Sequence, residues 1–509
     1  MTTLVLCFDG TWNNMEQEDN GNIAPTNVVK FYHSLSDKDR EGNPIKKFYH
    51  PGLGGEDIGL KAKIVDGAMG ASIGDHISTG FKWICDNYQS GDHICIVGFS
   101  RGAFTARSLA GMLSAGVMKT SALSVEQTWK QIKSLYALYT KGKLNEAPTD
   151  WFVTDSSSIQ FLGVWDTVGA LGVPNEFGLL NIFDNKKKWQ FHNTALGDHV
   201  KVARHAMAMD EIRSSFTVTQ WSNAHTHADA KQIWFPGVHS DVGGGYEDCE
   251  LSDLALAWMI EEGAGAGASL QFRNEVAVSG DANGSLHNSY KGIFAKMRSR
   301  PRNVPEVSPA NSHLFHPSVF ARQANNPIKY GPYWPTTHLE IGEFTEIEIF
   351  AKHKWNAMNL FLSQGEEYEF SSRGEWVDKT DSCDWRGTER DDYTIGDAVR
   401  SAASFFGKFE QLFNSATNNK EYDIPFTKRL EKIDWFAAVG CIANDSGVKR
   451  AAGNDGSPTP HKYFAMADHQ QNKPFRVNNS GYLYAFANDG WAFYDNNKGS
   501  VLITVKRVA

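Results

Sequence analysis

Several features are scarce in this sequence, and each scarcity excludes a class of protein. No apolar run approaches the roughly 20 residues needed to cross a bilayer, which argues against a membrane-spanning chain. The first nine residues have neither a basic start nor a long apolar stretch, so they do not resemble a signal peptide. We therefore expect synthesis in the cytoplasm, and any secretion to use a route without a cleaved signal. A net charge of −9 lacks the basic excess that nucleic-acid binding requires.

Cysteine is also scarce, with six residues among 509 and no Cys-x-x-Cys pair. We expect these cysteines to be free thiols rather than a disulfide framework or a zinc site. The apolar fraction of 41% and the charged fraction of 21% are typical of a folded protein. The length predicts two or three domains.

The most informative stretch is a short apolar run that leads directly into a Gly-x-Ser-x-Gly motif. Residues 94–97 are typical of a strand buried on both faces, and residues 103–113 follow at helical spacing. A serine at a tight turn between strand and helix is the context of a nucleophile elbow, so Ser100 is the predicted nucleophile. Gly98 and Gly102 would relieve crowding at this turn. The alternative is a glycine-rich loop in which Ser100 has no chemical role.

Two further buried-strand patterns end in residues that complete a catalytic triad. Residues 158–165 lead into Asp166, the place of the triad acid, although an aspartate that caps the next helix is the alternative. Residues 230–238 lead into His239 and a glycine-rich loop. The order serine, acid, histidine is that of an α/β-hydrolase. Asp241 is the second candidate for the acid, but its place two residues from the histidine favours a role in holding the loop.

The first predicted strand, Thr3–Phe8, ends in an Asp-Gly-Thr sequence with two interpretations. In the first, the backbone N–H groups of Gly10 and Thr11, together with that of Arg101, bind the oxyanion of an acyl-transfer reaction. In the second, the motif resembles that of the haloacid-dehalogenase phosphatases. That family places its nucleophilic aspartate two residues before the aspartate of the motif, where this chain has Cys7.

Two segments between the acid and the histidine allow more than one interpretation. Residues 174–192 combine apolar bulk with Lys186–Lys188, a pattern typical either of a lid at a lipid surface or of ordinary cap packing. Residues 200–213 are predicted to form a helix, and its His205 competes with His239 as the base.

The pattern of the chain changes near residue 344. Short strand candidates separated by turns predict a β-sandwich, and a predicted helix over 396–413 interrupts them. The candidates are 345–350, 359–362, 367–370, 434–440, 482–486 and 500–505. We therefore expect two domains, a catalytic domain with lid or cap insertions over residues 1–343 and an all-β domain over 344–509.

Four motifs resemble one bacterial and fungal α/β-hydrolase family, which includes the phospholipase effectors of type VI secretion. They are Cys-Phe-Asp-Gly-Thr-Trp-Asn from Cys7, Gly-Phe-Ser-Arg-Gly-Ala from Gly98, Val-Trp-Asp-Thr-Val from Val164, and Gly-Val-His-Ser-Asp-Val-Gly-Gly-Gly-Tyr from Gly237. The resemblance implies a doubly wound, mostly parallel sheet and a triad of Ser100, Asp166 and His239. It also implies a glycerophospholipid ester substrate at a membrane surface, and a secretion apparatus or immunity protein as partner.

A turn near the end of the chain is crowded with oxygen-bearing side chains. Such a turn suits Ca²⁺, although asparagine, aspartate and glycine are also common in turns that bind nothing. Residues 344–509 resemble the calcium-dependent, galactose-binding lectins of the PA-I type. By this resemblance, Asp489, Asn496, Asn497 and the carbonyl of Phe493 are metal ligands. The sugar contacts of those lectins have no clear counterpart here, so the resemblance implies calcium but no particular sugar.

Together these patterns predict a serine esterase or lipase of the phospholipase A type that needs no cofactor for catalysis. Two other functions are open at this point. One is an esterase that deacylates glycoconjugates and is brought to them by the lectin-like domain. The other is a carbohydrate-binding protein on an inactive hydrolase scaffold, against which the complete triad argues.

Overall fold

The N-terminal half of the computed structural model is built around a six-stranded parallel sheet. The structure describes residues 1–11, 13–52, 73–168, 194–265, 270–273, 278–296, 298–325, 331, 333–378, 381–388, 428–445 and 459–509. Within these ranges, no helix is long and apolar enough to cross a bilayer.

Eight strands and seven α-helices are described before residue 344. The strands are β1 (Thr3–Phe8), β2 (Glu18–Asp19), β3 (Asn22–Ile23), β4 (Ile45–His50), β5 (His93–Phe99), β6 (Ile159–Trp165), β7 (Val200–Ala208) and β8 (Ala230–Phe235). The helices are α1 (Asn27–Ser34), α2 (Ile73–Asn87), α3 (Arg101–Leu113), α4 (Val125–Thr140), α5 (His239–Gly243), α6 (Glu250–Gly265) and α7 (Pro317–Ala324).

The order of the strands locates the place where a ligand can bind. The sheet runs β4-β1-β5-β6-β7-β8, and all five pairings are parallel. From β1 the chain goes first to β4 on one side and then to β5 on the other. In sheets of this kind, ligands bind outside the carboxyl ends of the strands, next to such a reversal. The loops that follow β1 and β5 meet at this point.

Both faces of the sheet are covered, as the apolar strand patterns predict. Leu4, Leu6 and Phe8 of β1 pack in one cluster with α2, α3 and α4. The alternate residues Val5 and Cys7 pack in a second cluster with α1 and α6. The expected α/β architecture of the N-terminal half is therefore confirmed.

The prediction of a helix over residues 200–213 is wrong. Residues Val200–Ala208 form β7, which lies between β6 and β8 inside the sheet. Because the strand is buried on both faces, its residues do not alternate between apolar and polar, and such a run is easily mistaken for a buried helix. Arg204 is buried within β7, where Glu262 of α6 accepts a hydrogen bond from its Nε at 2.5 Å.

The C-terminal part forms two antiparallel sheets. Its strands are β9 (Phe344–Phe350), β10 (Asn356–Leu362), β11 (Glu367–Arg373), β12 (Trp376–Asp378), β13 (Asp381–Cys383), β14 (Ala438–Asn444), β15 (Lys462–Ala465), β16 (Phe475–Arg476), β17 (Gly481–Ala487) and β18 (Asn497–Arg507). One sheet runs β10-β17-β14-β15, and the other runs β13-β12-β18-β11-β16 with β9 also paired to β18. Both sheets contribute residues to one hydrophobic cluster, including Leu483 from the first and Phe370 from the second.

Two sequence predictions for this part of the chain have different outcomes. The strand predicted over residues 434–440 lies four residues further on, at Ala438–Asn444. The helix predicted over residues 396–413 falls outside the described residues. The cysteine prediction is confirmed, since all six cysteines of the chain are free thiols.

We predict that Gly102→Ala destabilises the fold. A Cβ atom at this position would lie 2.2 Å from the carbonyl oxygen of Phe8 and 2.4 Å from that of Asp9. Because β1 is an interior strand, this backbone cannot withdraw without disturbing the sheet. Overpacking of this kind lowers the free energy of unfolding by about 1–3 kcal/mol, which urea denaturation measures.

Gly265→Ala is the matched control, because a Cβ atom there meets nothing within 4 Å. Its free energy of unfolding should stay the same or rise slightly, since alanine favours the helix. Equal unfolding midpoints for Gly102→Ala and the parent protein would contradict the close packing of α3 on β1.

Candidate active site

The turn between β5 and α3 holds Ser100 in a strained backbone conformation. Its φ is 57° and its ψ is −121°, a conformation that costs a residue with a side chain about 1–3 kcal/mol. A Cβ atom on Gly98 would lie 2.4 Å from the carbonyl oxygen of Gly102. The turn can therefore close only with glycine at its base, as the elbow pattern predicts. Ser100 stands at the carboxyl end of β5, beside the reversal in strand order.

Asp166 occupies the corresponding place at the end of β6. It also has a positive φ, 37°, and its side chain is fully buried. Its Oδ1 accepts hydrogen bonds from the Ala208 N–H at 2.9 Å and from Arg302 Nη1 at 2.6 Å. Its Oδ2 accepts from Arg302 Nη2 at 2.8 Å and lies 2.5 Å from His239 Nδ1.

These contacts determine the charge of the Asp166 carboxyl. Burial opposes ionisation, but the Arg302 guanidinium and the hydrogen bonds from Arg302 and His239 outweigh it and hold the pKa of Asp166 below its usual range. Asp166 is therefore an ionised carboxylate at neutral pH.

His239 is the first residue of α5, separated from the end of β8 by three residues. Its imidazole ring lies between the Phe99 ring, at a centroid distance of 4.6 Å, and the Phe216 ring, at 5.0 Å. Burial lowers the pKa of His239 below 6.5, although the hydrogen bond to Asp166 acts in the opposite direction. The ring is therefore neutral at pH 7. Because Asp166 accepts the proton on Nδ1, the lone pair is left on Nε2, where a base needs it.

The three predicted triad residues gather at one edge of the sheet. Asp166 and His239 are in direct contact. Ser100 lies on the neighbouring strand end, where its N–H donates to the Trp165 carbonyl at 3.1 Å. The residue before it, Phe99, packs against the His239 ring. The arrangement supplies a hydroxyl, a neutral imidazole and an ionised carboxylate in the order that a serine hydrolase uses.

The predicted oxyanion donors lie near Ser100. As the first residue of α3, Arg101 has its N–H at the helix N-terminus, where the amide groups point out of the helix. A Cβ atom on Gly10 would lie 3.2 Å from the Ser100 Cβ, so the loop after β1 reaches Ser100. The Gly10 N–H itself donates to Asp9 Oδ1 at 2.7 Å. Among the described residues, the buried Thr11 hydroxyl has no hydrogen-bond partner.

Asp9 holds this loop in place. Its buried carboxyl also accepts hydrogen bonds from the hydroxyls of Thr26 and Tyr49, both at 2.8 Å. Burial raises the pKa of Asp9 to about 6.

The two competing candidates for acid and base have other partners. Asp241 Oδ2 accepts the Val238 N–H at 2.9 Å, and its Oδ1 lies 2.6 Å from His287 Nδ1. Asp241 thus holds the loop that carries His239. His205 lies on β7 and accepts the Thr167 N–H with its Nε2 at 3.1 Å. Burial, with the nearby Arg107 charge, lowers the pKa of His205 to about 3.

A protein-family model provides the decisive comparison. Residues 2–262, just over half of the chain, match the model described as "T6SS, Phospholipase effector Tle1-like, catalytic domain". The chain belongs to this Tle1-like family. Because the family is one of phospholipase effectors of type VI secretion, membership supports a lipolytic hydrolase.

The individual relatives of this Tle1-like chain are distant. An uncharacterized protein of Saccharomyces cerevisiae is 25% identical over 241 residues, which cover 42% of this chain and 32% of that protein. This chain therefore spans about a third of the length of the curated relative it matches, and the substrates and partners of the whole protein are a matter of proposal.

Two solved structures are similar to about half of the chain. One is the crystal structure of an uncharacterized protein from Pseudomonas aeruginosa, with 19% identity, a TM-score of 0.32, and coverage of 53% of this chain and 46% of that chain. The other is the Tle1 effector bound to the VgrG spike of the type 6 secretion system, with 20% identity, a TM-score of 0.28, and coverage of 49% and 52%.

Arg302 is the site residue that the sequence patterns did not identify. It lies in a stretch without clear periodicity, beyond residue 262 where the Tle1-like match ends. The nearby Arg298 and Arg300 mark a local arginine cluster, but nothing in that cluster indicates a partner 136 positions earlier. Glu211 was also missed. Its Oε2 accepts the His239 N–H at 3.3 Å and pairs with Arg213 at 2.8 Å.

The lid hypothesis stays a prediction, because residues 169–193 lie outside the described residues.

The proposed metal ligands are described. Asp489 is buried, and its Oδ2 accepts a hydrogen bond from Asn497 Nδ2 at 3.0 Å. Asn496 Nδ2 donates to Asp378 Oδ1 at 3.0 Å. The Phe493 carbonyl accepts the Asn496 N–H at 3.3 Å.

We predict that Asp166→Asn lowers kcat by about 10⁴-fold on a soluble ester. By analogy with serine proteases, the amide holds the imidazole in the wrong tautomer, so that Nε2 carries the proton. Turnover of a short-chain p-nitrophenyl ester by the full-length protein measures the effect.

Asp241→Asn is the matched control, because this carboxyl is equally buried and also contacts a histidine. We expect a smaller loss, since Asp241 acts on the loop and not on the base. A larger loss in Asp241→Asn than in Asp166→Asn would show that the acid is wrongly assigned.

Proposed function

We propose that this Tle1-like chain is a serine hydrolase of the phospholipase A type, which cleaves acyl ester bonds of glycerophospholipids. The observation that carries the proposal is the 2.5 Å contact between His239 and Asp166 at the strand ends beside the Ser100 elbow. All three residues lie within the range that matches the Tle1-like catalytic domain, 2–262.

In the proposed mechanism, Ser100 Oγ attacks the ester carbonyl carbon while His239 Nε2 takes the hydroxyl proton. The imidazolium that forms is stabilised by the ionised Asp166. Collapse of the tetrahedral intermediate breaks the bond to the leaving alkoxide, which receives the proton from His239. Water then attacks the acyl-enzyme in the same way, with His239 as base, and releases the fatty acid and free Ser100.

The negative oxygen of the tetrahedral intermediate needs hydrogen-bond donors. We assign this role to the Arg101 N–H and to the loop of Gly10 and Thr11. One such donor is worth roughly 3–4 kcal/mol of transition-state stabilisation. Since the Gly10 N–H is held by Asp9, the Thr11 N–H or hydroxyl is the better placed donor from this loop.

The family to which the chain belongs also supports a proposal about its setting. As a phospholipase effector of type VI secretion, it would be delivered by a secretion apparatus and act on the lipids of a target membrane.

A second proposal concerns the C-terminal sheets, which we propose form a lectin-like β-sandwich with a Ca²⁺ site. Two observations support the site. The Oδ1 of Asn497 is buried and has no hydrogen-bond partner among the described residues. Burial, together with the nearby charge of Asp378, raises the pKa of Asp489 to about 7. A buried acceptor beside a carboxyl that is costly to ionise fits a cation held by Asp489, Asn496 and Asn497, with the Phe493 carbonyl.

We predict that Ser100→Ala lowers ester hydrolysis at least about 10⁴-fold and leaves the fold unchanged, because the nucleophile is lost but little packing is. Fatty-acid release from phospholipid micelles and from acylated sugars is measured in parallel, with circular dichroism as the control for folding. Turnover within tenfold of the parent would rule out Ser100 as nucleophile. Faster release from acylated sugars than from phospholipids would favour the glycoconjugate esterase instead.

We predict that millimolar Ca²⁺ raises the melting temperature of the full-length protein, and that EDTA reverses the rise. Binding to the folded state alone adds about 2.7 kcal/mol at a hundredfold excess over Kd. Asp489→Ala should abolish the effect. Asp495→Ala, in the same turn but exposed, should keep it. If Ca²⁺ does not change the melting temperature and calorimetry detects no heat of binding, the turn does not bind Ca²⁺.

A further inference from the structure

The segment around residue 302 links the two halves of the molecule. On one side it is fixed by backbone carbonyls of the C-terminal sheets. The Asn303 Nδ2 donates to the Asn444 carbonyl at the end of β14 and to the Thr459 carbonyl at 3.0 Å. In the other direction, His461 Nε2 lies 2.7 Å from the Pro301 carbonyl. Asn303, Asn444 and His461 are buried, so their hydrogen bonds cannot be exchanged for bonds to water without opening the contact.

On its other side, the same segment reaches the active site through Arg302. Its guanidinium forms a two-pronged hydrogen bond with both oxygens of Asp166, at 2.6 Å and 2.8 Å. It also donates to the carbonyls of Ala208 and Phe216, both at 2.7 Å. Paired donors of this kind fix the plane of a carboxylate as well as its charge.

We propose that Arg302 is a positioning residue for catalysis, and that the C-terminal sheets hold it in place. This inference rests on the proposed serine hydrolase, in which Asp166 orients His239. Because Arg302 donates hydrogen bonds to both oxygens of Asp166, it holds the carboxylate in the orientation in which Oδ2 contacts His239 Nδ1. Asn303 and His461 hold the backbone from which Arg302 projects. The C-terminal sheets therefore act on the active site through Arg302.

Arg302 also affects the electrostatic environment of His239, the proposed base. The charged groups that face His239 are Asp166, which contacts the ring, and the pair of Glu211 and Arg213. Arg302 balances the charge of Asp166. Without Arg302, the carboxylate would attract a proton to the imidazole more strongly, or would itself bind a proton because it is buried. In either case the active form, with neutral His239 and ionised Asp166, would exist only at higher pH.

The test measures kcat and KM of the full-length protein between pH 4.5 and 9 on a soluble p-nitrophenyl ester. In the parent protein, kcat/KM should fall in acid with a midpoint below pH 6.5, since the pKa of His239 is lowered. Arg302→Gln should lower kcat by about 10- to 100-fold, the usual effect of losing an orienting partner. It should also move the acid midpoint upward by about one pH unit or more, with little change in KM. Arg302→Lys should restore most of the midpoint, because it keeps the charge, but not all of kcat.

A matched control separates positioning from loss of structure. Arg322 is another fully buried arginine, and it donates to the carbonyls of Ala282, Gly284 and Gly331. Arg322→Gln should lower the melting temperature while the acid midpoint stays that of the parent. An upward shift in Arg302→Gln and none in Arg322→Gln supports the inference. Equal midpoints in Arg302→Gln and the parent would overturn it.

Asn303→Ala tests the part played by the C-terminal sheets, because it keeps the Arg302 side chain but removes the hydrogen bonds that tie the neighbouring residue to those sheets. We expect a shift of the acid midpoint in the same direction as for Arg302→Gln, but smaller. Parent values of kcat and midpoint in Asn303→Ala would overturn this part of the inference. Since Ser100→Ala tests the nucleophile independently, a failure of the Arg302 inference is distinguishable from a failure of the proposed hydrolase.

Discussion

A buried carboxylate stays ionised only where hydrogen-bond donors surround it, and the residues around Asp166 supply these donors. The parallel pairing of β6 with β7 brings the Ala208 N–H to one oxygen. His239 reaches the other oxygen from the end of β8, and Arg302 spans both. Removing any of these donors leaves charge without compensation. Three features of the fold therefore supply donors to the Asp166 carboxylate: the strand order, the turn after β8 and the segment around residue 302.

The parts of this arrangement that sequence reasoning predicted are those encoded locally. Ser100, Asp166 and His239 each follow an apolar run, and in a parallel sheet such runs end at the same edge. Arg302 could not be predicted in this way, because its role depends on a contact with Asp166 across the fold and its own segment lacks regular structure. Residues 200–208 were misassigned for a related reason. A strand buried on both faces has no polar period to distinguish it from a helix.

The C-terminal half shows the same division between local pattern and long-range contact. Five of its ten described strands, β9, β10, β11, β17 and β18, were predicted in place from short apolar runs between turns, while β14 lies four residues from its predicted position. The interaction of Asn303 with the ends of β14 and the Thr459 backbone had no local signature. The proximity of Asp378 and Asp489 could likewise not be predicted from the sequence, because β12 and the loop after β17 meet only in the folded structure.

Residues 299–303 come back to the edge of the parallel sheet, where Arg302 contacts Asp166. This contact limits how the C-terminal part of the chain can be exchanged or fused. An evolutionary exchange or an engineered fusion that joined a foreign module after residue 262 would keep Ser100, Asp166 and His239. It would discard Arg302, which pairs with Asp166, together with the residues that hold Arg302 in place. On the proposed mechanism, the C-terminal part of this chain is then not freely interchangeable. A functional chimera has to inherit its C-terminal part together with its catalytic part, or evolve another cation beside Asp166.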